Sequence, residues 1–521
     1  MKLVKSLLLG SAAGLIAAGG AQAADLPLKA KAVEYVKICS LYGAGFYYMP
    51  GTDTCIKLGG YVRADMVLGG ANDYGFRNSN ATFNGGSNNR LTSYYYGRAR
   101  MDLTVDTRTA TEYGVVRTFA DMVFSVDSQT ASGSTPSTLS GGTAGLGLYH
   151  AFIQFAGFTF GRTVSIFDAP WTGYPAGGPD TIPGGSNFVT GVNQATYTAD
   201  FGQGVSGSVS IQDQGTGNGG GQSNLWNASG FAGSASISST TGAITLTPAS
   251  TAAGAALIQG IYGSPDWGGT RSPDILGQVR VDQAWGLFQI AALAHELNSA
   301  YYGANETTGH PDMKWGWAVQ GVLSIKNIPT GAGDSINMQA VYADGAAHYV
   351  FGNISWPQNF SMYSGSGIGA YQSVGFAGIS DGVFGAGTSI ETTKAWGFRG
   401  GYNHNWNPNW VSAIYGGYAQ MSYGTMSKGL ICANFAAAYG TATATCNPDF
   451  AIGVVGVNTV WTPVKNLAFT ADLSWTHLDQ KYSGTISGPA TAVSAFAKPA
   501  ATYELKDQNS LTLLLRAQRN F

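Results

Sequence analysis

Charge is scarce in this chain. Asp, Glu, Lys and Arg make up 11% of it, less than half the quarter usual in soluble proteins. The signs nearly cancel to a formal net charge of −2, which argues against a nucleic-acid binder with its basic stripe. Cysteine is limited to four positions, none with zinc-ligand spacing. The six histidines are scattered, and no HExxH or phosphate-loop motif occurs. No metal, cofactor or catalytic group is therefore expected. His295 and Glu296 are adjacent, so in a strand they point to opposite sides. After residue 23 no run of 18 apolar residues is found, which argues against a membrane-spanning helix. Glycine and aromatics are abundant instead: 75 Gly, about twice the average share, with 27 Tyr, 24 Phe and 12 Trp.

The opening MKLVKSLLLGSAAGLIAAGGAQA has a basic start, a short apolar stretch and a small-x-small end at Ala21 to Ala23. It predicts a secretory signal peptide over 1–23. Its removal leaves 498 residues (521 minus 23) and, without Lys2 and Lys5, a net charge of −4 (−2 minus 2). An exported chain with an even cysteine count points to disulfides. The local pairs are Cys39 with Cys55 and Cys432 with Cys446. Each bridge closes a loop of roughly 15 residues, worth about 3 kcal/mol in the chain-entropy model.

The dominant period is two. In LGGYVRADMVL, Leu58, Val62, Met66 and Leu68 share one face, and Tyr61, Arg63 and Asp65 share the other. In YYYGRARMDLTV, Met101, Leu103 and Val105 alternate with Arg98, Arg100 and Asp102, and Arg117 and Asp121 share parity in the next segment. Charge is thus confined to one face of each strand. A soluble sheet with one wet face would also do this. The count of strands and the lengths of the connections separate the two readings. About sixteen segments alternate, over 57–68, 93–106, 112–125, 147–156, 158–166, 191–201, 204–213, 273–284, 286–297, 313–326, 335–344, 393–404, 409–423, 450–461, 466–478 and 509–521. Short connections alternate with long Gly/Ser/Asn/Thr-rich ones such as 69–92, 126–146, 167–190, 214–272 and 345–392. That alternation is expected of an all-β transmembrane antiparallel barrel with short periplasmic turns and long extracellular loops. The apolar face then meets outer-membrane lipid and the charged face lines a lumen. Tyr94, Tyr95, Trp315, Trp317, Trp461 and Trp475 fall near strand ends, where interfacial aromatic girdles lie. The expected organisation is a signal peptide (1–23), a periplasmic segment with a disulfide (24–56) and the barrel (57–521). After removal of 1–23 only about 33 residues (56 minus 23) precede the first strand, too few for the plug of an energised transporter.

Three stretches resemble the alphaproteobacterial general porins: VEYVKICSLYGAGFYYMPGTDTCIKLGGYVRAD (Val33 to Asp65), HAFIQFAGFTFGRTVSIFDAPWTGYP (His150 to Pro175) and the terminal RNF. The resemblance implies a homotrimer, passive diffusion of small hydrophilic solutes and ions, and a third extracellular loop folded into the pore. A substrate-selective channel for sugars or anions shares this fold and stays open as the alternative, with Tyr61, Tyr94 and Tyr96 as candidate lumen aromatics. The third long connection, about Ile166 to Val189, carries Asp168 and Asp180 and no Lys or Arg. On the strands before it stand Arg63, Arg98, Arg100, Arg117 and Arg162. The expectation is an arginine wall facing an acidic loop; the competing one is that each Arg pairs with a neighbouring carboxylate, as Arg100 could with Asp102.

Overall fold

The computed structural model describes residues 37–69, 88–90, 92, 94–127, 143–177, 182–214, 225–229, 235–237, 244–246, 257–258, 260–352, 359–439, 443–488 and 498–521. The expected signal peptide and Asp180 lie outside the described residues. The chain forms two units, Met1–Ile56 and Lys57–Phe521. In the first, Tyr47–Tyr48 pairs antiparallel with Cys55–Ile56, and the Cys39–Cys55 bridge spans a Cα–Cα distance of 6.1 Å. Phe46 is buried with Cys39 and Cys55, and Tyr42 and Tyr48 pack against this cluster.

The barrel is built on sixteen antiparallel strands: β1 (Cys55–Leu68), β2 (Tyr95–Thr111), β3 (Gly114–Asp127), β4 (Thr143–Phe155), β5 (Phe158–Thr163), β6 (Val192–Gly202), β7 (Val205–Gln212), β8 (Asp274–Gln283), β9 (Gly286–Leu297), β10 (Lys314–Lys326), β11 (Ser335–Asp344), β12 (Lys394–Asn407), β13 (Trp410–Ser422), β14 (Phe450–Val464), β15 (Leu467–Gln480) and β16 (Gln508–Asn520). Each pairs with the next, and β16 returns to β1 with Leu513 opposite Leu68 and Asn520 opposite Tyr61. Closure removes every edge, so the ladder satisfies its own backbone groups in lipid. Phe521 donates its N–H to the Gly60 carbonyl at 3.1 Å, beside this seam.

Side-chain direction follows the expected parity. Leu58, Val62, Met66 and Leu68 face out while Asp65 is buried. The six aromatics read as girdle residues are all exposed. One bulge, opposite Asp121 and Met122, shifts the parity of β4, so that Leu146 and Leu148 face out before it and Ile153 after it. Among the described residues no helix is long and apolar enough to cross a membrane.

The loops hold structure that periodicity does not reveal. Leu225–Asn227, Ser264–Pro265, Gly382–Phe384 and Glu391–Thr392 make a four-stranded sheet. Asn359–Ser364, Gln372–Gly378, Ala501–Leu505, Ser483–Gly488 and Ala444–Thr445 make a five-stranded one. With a helix over Thr425–Tyr439 they share an aromatic core that includes Trp226, Tyr262, Phe376, Tyr423 and Tyr482. These strands of two to seven residues gain stability only from partners in other loops, so no local pattern announces them. Cys432 and Cys446 are bridged here, Cα–Cα 5.7 Å. Thiol labelling of protein unfolded without reductant should therefore find no reactive cysteine. Reducing the Cys432–Cys446 bridge should weaken the loop layer by about 3 kcal/mol while leaving pore conductance in place; a collapse of conductance would contradict this.

Candidate functional site

Two inner walls differ in chemistry. The first is formed by β16 and β1 to β4. The Arg63 Nε donates to Gln518 Oε1 at 2.8 Å, and its guanidinium lies 4.4 Å from the Tyr61 ring centroid. Arg98 forms a two-point pair with Asp127, Nη2 to Oδ2 at 2.9 Å and Nε to Oδ1, and also donates to the Tyr96 hydroxyl at 2.9 Å. Arg100 donates to Ser125 Oγ at 2.9 Å and lies 5.9 Å from the Tyr149 ring. Arg117 pairs with Asp106 at 3.0 Å, where Arg108 also arrives at 3.1 Å. Arg516 and Asp65 pair at 2.6 Å beside the seam. Carboxylates are thus interleaved among the arginines. Arg98 and Arg117 pair with carboxylates, and Arg100 donates to Ser125 with Asp102 within reach of its charge.

Arg162 is at the loop end of β5. Its ladder partners are Ala151 and Asn193, in the parity of Phe158 and Phe160, which face out. Its Nε donates to the Thr190 carbonyl at 3.1 Å, so it anchors the root of the third long connection.

The second wall, the inner face of β8 to β13, carries the described parts of that connection, residues 164–177 and 182–191. A loop lying against a sheet brings carbonyls that have lost water, and each needs a donor. The wall supplies them. Gln278 donates to the Ile166 carbonyl at 2.7 Å, Gln320 to that of Phe167 at 2.5 Å, Gln289 to that of Asp168 at 3.0 Å and Asn337 to that of Pro175 at 2.6 Å. Arg399 does most. It is 1% exposed, and its Nη1 reaches the carbonyls of Ile182 at 3.0 Å and Gly185 at 3.3 Å. Its Nη2 reaches those of Ser186 at 2.5 Å and Thr172, and its Nε reaches Gln339 Oε1 at 2.9 Å. Gly184 has φ +99°, and a Cβ there would stand 2.2 Å from the Phe398 carbonyl oxygen. Only glycine fits so close to the wall.

Asp168 corrects the expectation of a carboxylate open to the lumen. It is 4% exposed, and it accepts from Ser186 Oγ and from the Phe188 N–H, both at 2.6 Å. It closes the loop on itself. Burial pushes its carboxyl up to about 6, against Ser186, the Phe188 N–H and the Arg399 charge, which favour the ionised form. A raised carboxyl pKa means the seated loop holds the proton more tightly than the free chain does. This contribution to seating is full below the ordinary carboxylate pKa near 4 and is lost as pH rises through about 6. Its size is on the order of 2–3 kcal/mol. Channel noise should therefore rise between pH 4 and 6.5, and Asp168→Asn should flatten that dependence; an unchanged profile in the variant would remove Asp168 from this role.

A family model described as Porin subfamily matches residues 25–514. Porin Omp2b of Brucella suis biovar 1 (strain 1330) is 37% identical over 223 residues, 42% of this chain and 56% of that protein. Porin Omp2b of Brucella canis is 38% identical over the same length and coverage. The chain thus spans about half the length of the curated relatives it matches. The outer membrane channel DcaP of Acinetobacter baumannii shares the fold at a TM-score of 0.54 and 17% identity, covering 91% of this chain and 99% of that one.

Proposed function

This chain belongs to the Porin subfamily of outer-membrane β-barrels, and from that premise we propose that it is a water-filled channel for passive diffusion of small hydrophilic solutes and ions. The observation that carries the reading is a closed sixteen-strand ladder with an apolar outside and a charged inner wall, opposite a loop bonded along the other wall. The constriction is the gap between Arg63, Arg98, Arg100 and Arg117 on one side and residues 164–177 and 182–191 on the other. Interleaved guanidinium and carboxylate groups orient polar solutes there and leave apolar ones without compensation for lost water. The working unit is a homotrimer in the outer membrane, and residues 24–56 are a periplasmic segment.

A selective channel is the second reading. It is favoured by rings beside the guanidiniums: Tyr61 by Arg63, Tyr149 by Arg100, and Phe119 and Phe152 at 5.1 and 5.4 Å from Arg117. Liposomes containing only this protein test the proposal. Uptake of a small sugar should proceed without added protein or proton gradient. Bilayer current should stay linear in salt and unblocked by sugars; saturation or block would favour the selective channel, and absence of current would end both readings.

A further inference from the structure

The loop that lines the proposed constriction does not stand alone. The connection between β11 and β12, residues 345–393, sends its first turn of helix, α1 (His348–Phe351), against the same loop. All four residues of α1 are buried, as are Ala346 and Ala347 before it. The Val350 carbonyl accepts from the N–H groups of both Gly184 and Gly185, at 3.0 and 2.8 Å. Those two glycines stand beside the Arg399 contacts. Rings add to the join: Tyr349 lies 5.1 Å from Phe167 and 5.6 Å from Phe188.

α1 is in turn held by a ring of polar contacts that closes on itself. The Tyr349 hydroxyl donates to Asp274 Oδ2 and accepts from Gln212 Nε2 at 2.7 Å. Asp274 Oδ1 meets His295 Nδ1 at 2.7 Å. His295 Nε2 is 3.9 Å from Asp381 Oδ2. Asp381 Oδ1 accepts from the Ala347 N–H at 2.6 Å, which returns the ring to α1. Every member side chain is at most 2% exposed. Such a desolvated network holds one arrangement firmly, because losing one partner leaves the others buried without theirs. Gln212, Asp274 and His295 are at the loop ends of β7, β8 and β9, on the rigid barrel. Asp381 and α1 belong to the external connection.

We propose that the constriction is a two-loop element. Residues 345–352 reach inward and lock the third long connection at Phe167 and at Gly184 to Phe188, and Tyr349 is the positioning residue that ties this lock to the barrel through Asp274 and His295. This rests on the channel reading above. It makes the conducting state depend on an external connection whose later residues, Asn359–Ser364 and Gln372–Gly378, build the loop layer. A displacement of that layer would reach the constriction through one short helix.

A cross-link tests the contact without any assumption about conduction. A Cβ built at Gly352 lies 3.3 Å from the Asn187 Cβ, close to the roughly 3.5–4.5 Å a disulfide spans; it also lies 2.9 Å from the Gly185 carbonyl oxygen at φ +56°, so Gly352→Ala, which should conduct like the parent, is the control that a side chain is accommodated there. The four native cysteines are already bridged in two pairs. In Asn187→Cys/Gly352→Cys, mild oxidation should remove both added thiols from labelling; two reactive thiols in a folded barrel would overturn the juxtaposition. Single-channel recording then tests the role. Tyr349→Phe keeps the ring and loses one hydroxyl, and Asp274→Asn keeps the shape. Each should raise the frequency of partial closures several-fold, and the oxidised cross-link placed on Tyr349→Phe should restore quiet conduction. Closures unchanged in both single variants, or failure of the formed cross-link to quiet Tyr349→Phe, would overturn the lock. A wild type that conducts nothing while the cross-link still forms would instead overturn the channel reading and leave the two-loop contact standing.

Discussion

Replacing Arg399 by Met should free the loop 164–191 from the barrel wall and leave the barrel itself folded. The guanidinium serves four loop carbonyls and one wall amide. Met occupies a similar length and donates nothing. Four carbonyls would then be buried without this donor, at about 1–3 kcal/mol for each that water cannot reach. That sum exceeds what a loop of this size holds in reserve, so the loop should leave its seat. The ladder hydrogen bonds of β12 run through backbone and do not depend on the side chain. The melting midpoint should therefore move little, while open-channel conductance rises roughly twofold (an order-of-magnitude expectation from widening alone) and current noise increases. Arg399→Lys should fall between, because an ammonium cannot match a planar five-donor fork. If the Met variant conducts like the parent with the same noise, Arg399 does not hold the constriction.

Arg399 also marks where the sequence was legible and where it was not. The sixteen strands were readable because lipid outside and water inside impose strict alternation over each of them. The expected 286–297 and 335–344 coincide with β9 and β11. Ends drifted where pairing outlasts the membrane, as in β12, which runs to Asn407 and not 404. The shared parity of the arginines on β1 to β3 was readable for the same reason, but the carboxylates interleaved with them, Asp106 and Asp127, were not. The seat of the loop was not, although it left a trace. On the inner face of β12, Gly397, Arg399 and Gly401 follow one another. A Cβ on Gly397 would stand 2.8 Å from the Gly184 Cα, and one on Gly401 2.6 Å from the Ala176 Cβ. Glycines flanking a buried arginine are room made for another segment. Recognising that needs the knowledge that a loop 213 residues earlier in sequence arrives there. Asp168 misled for the opposite reason: composition shows a charge and not its direction. The loop layer was unreadable because its short strands pair only with strands from other connections.

Replacing Arg98 and Arg100 together by Gln should shift permeability toward cations by roughly five- to tenfold at low salt, read as a reversal potential in asymmetric salt. The two stand on one face of β2, opposite Asp127 and Ser125 of β3. Removing Arg100 deletes a positive charge that donates to Ser125 and whose field reaches Asp102 and Asp121. Removing Arg98 does more, since it also strips Asp127 of its two-point partner and leaves that carboxylate to the lumen. Two unit charges near a permeating ion are each worth about 1 kcal/mol at 4 Å in bulk water, and more where water is confined. One such term alone changes a permeability ratio about fivefold. The shift should shrink as salt shortens the screening length to about 3 Å at 1 M. Asp127→Asn should move the potential the other way and by less, because Arg98 then loses one partner and keeps the Tyr96 hydroxyl. Arg162→Gln should hardly move it, for Arg162 shares the outward parity of β5 and spends its Nε on the Thr190 carbonyl. A double variant with the parent's reversal potential would take Arg98 and Arg100 out of the permeation path, and a large shift from Arg162 would put the path on the other side of β5.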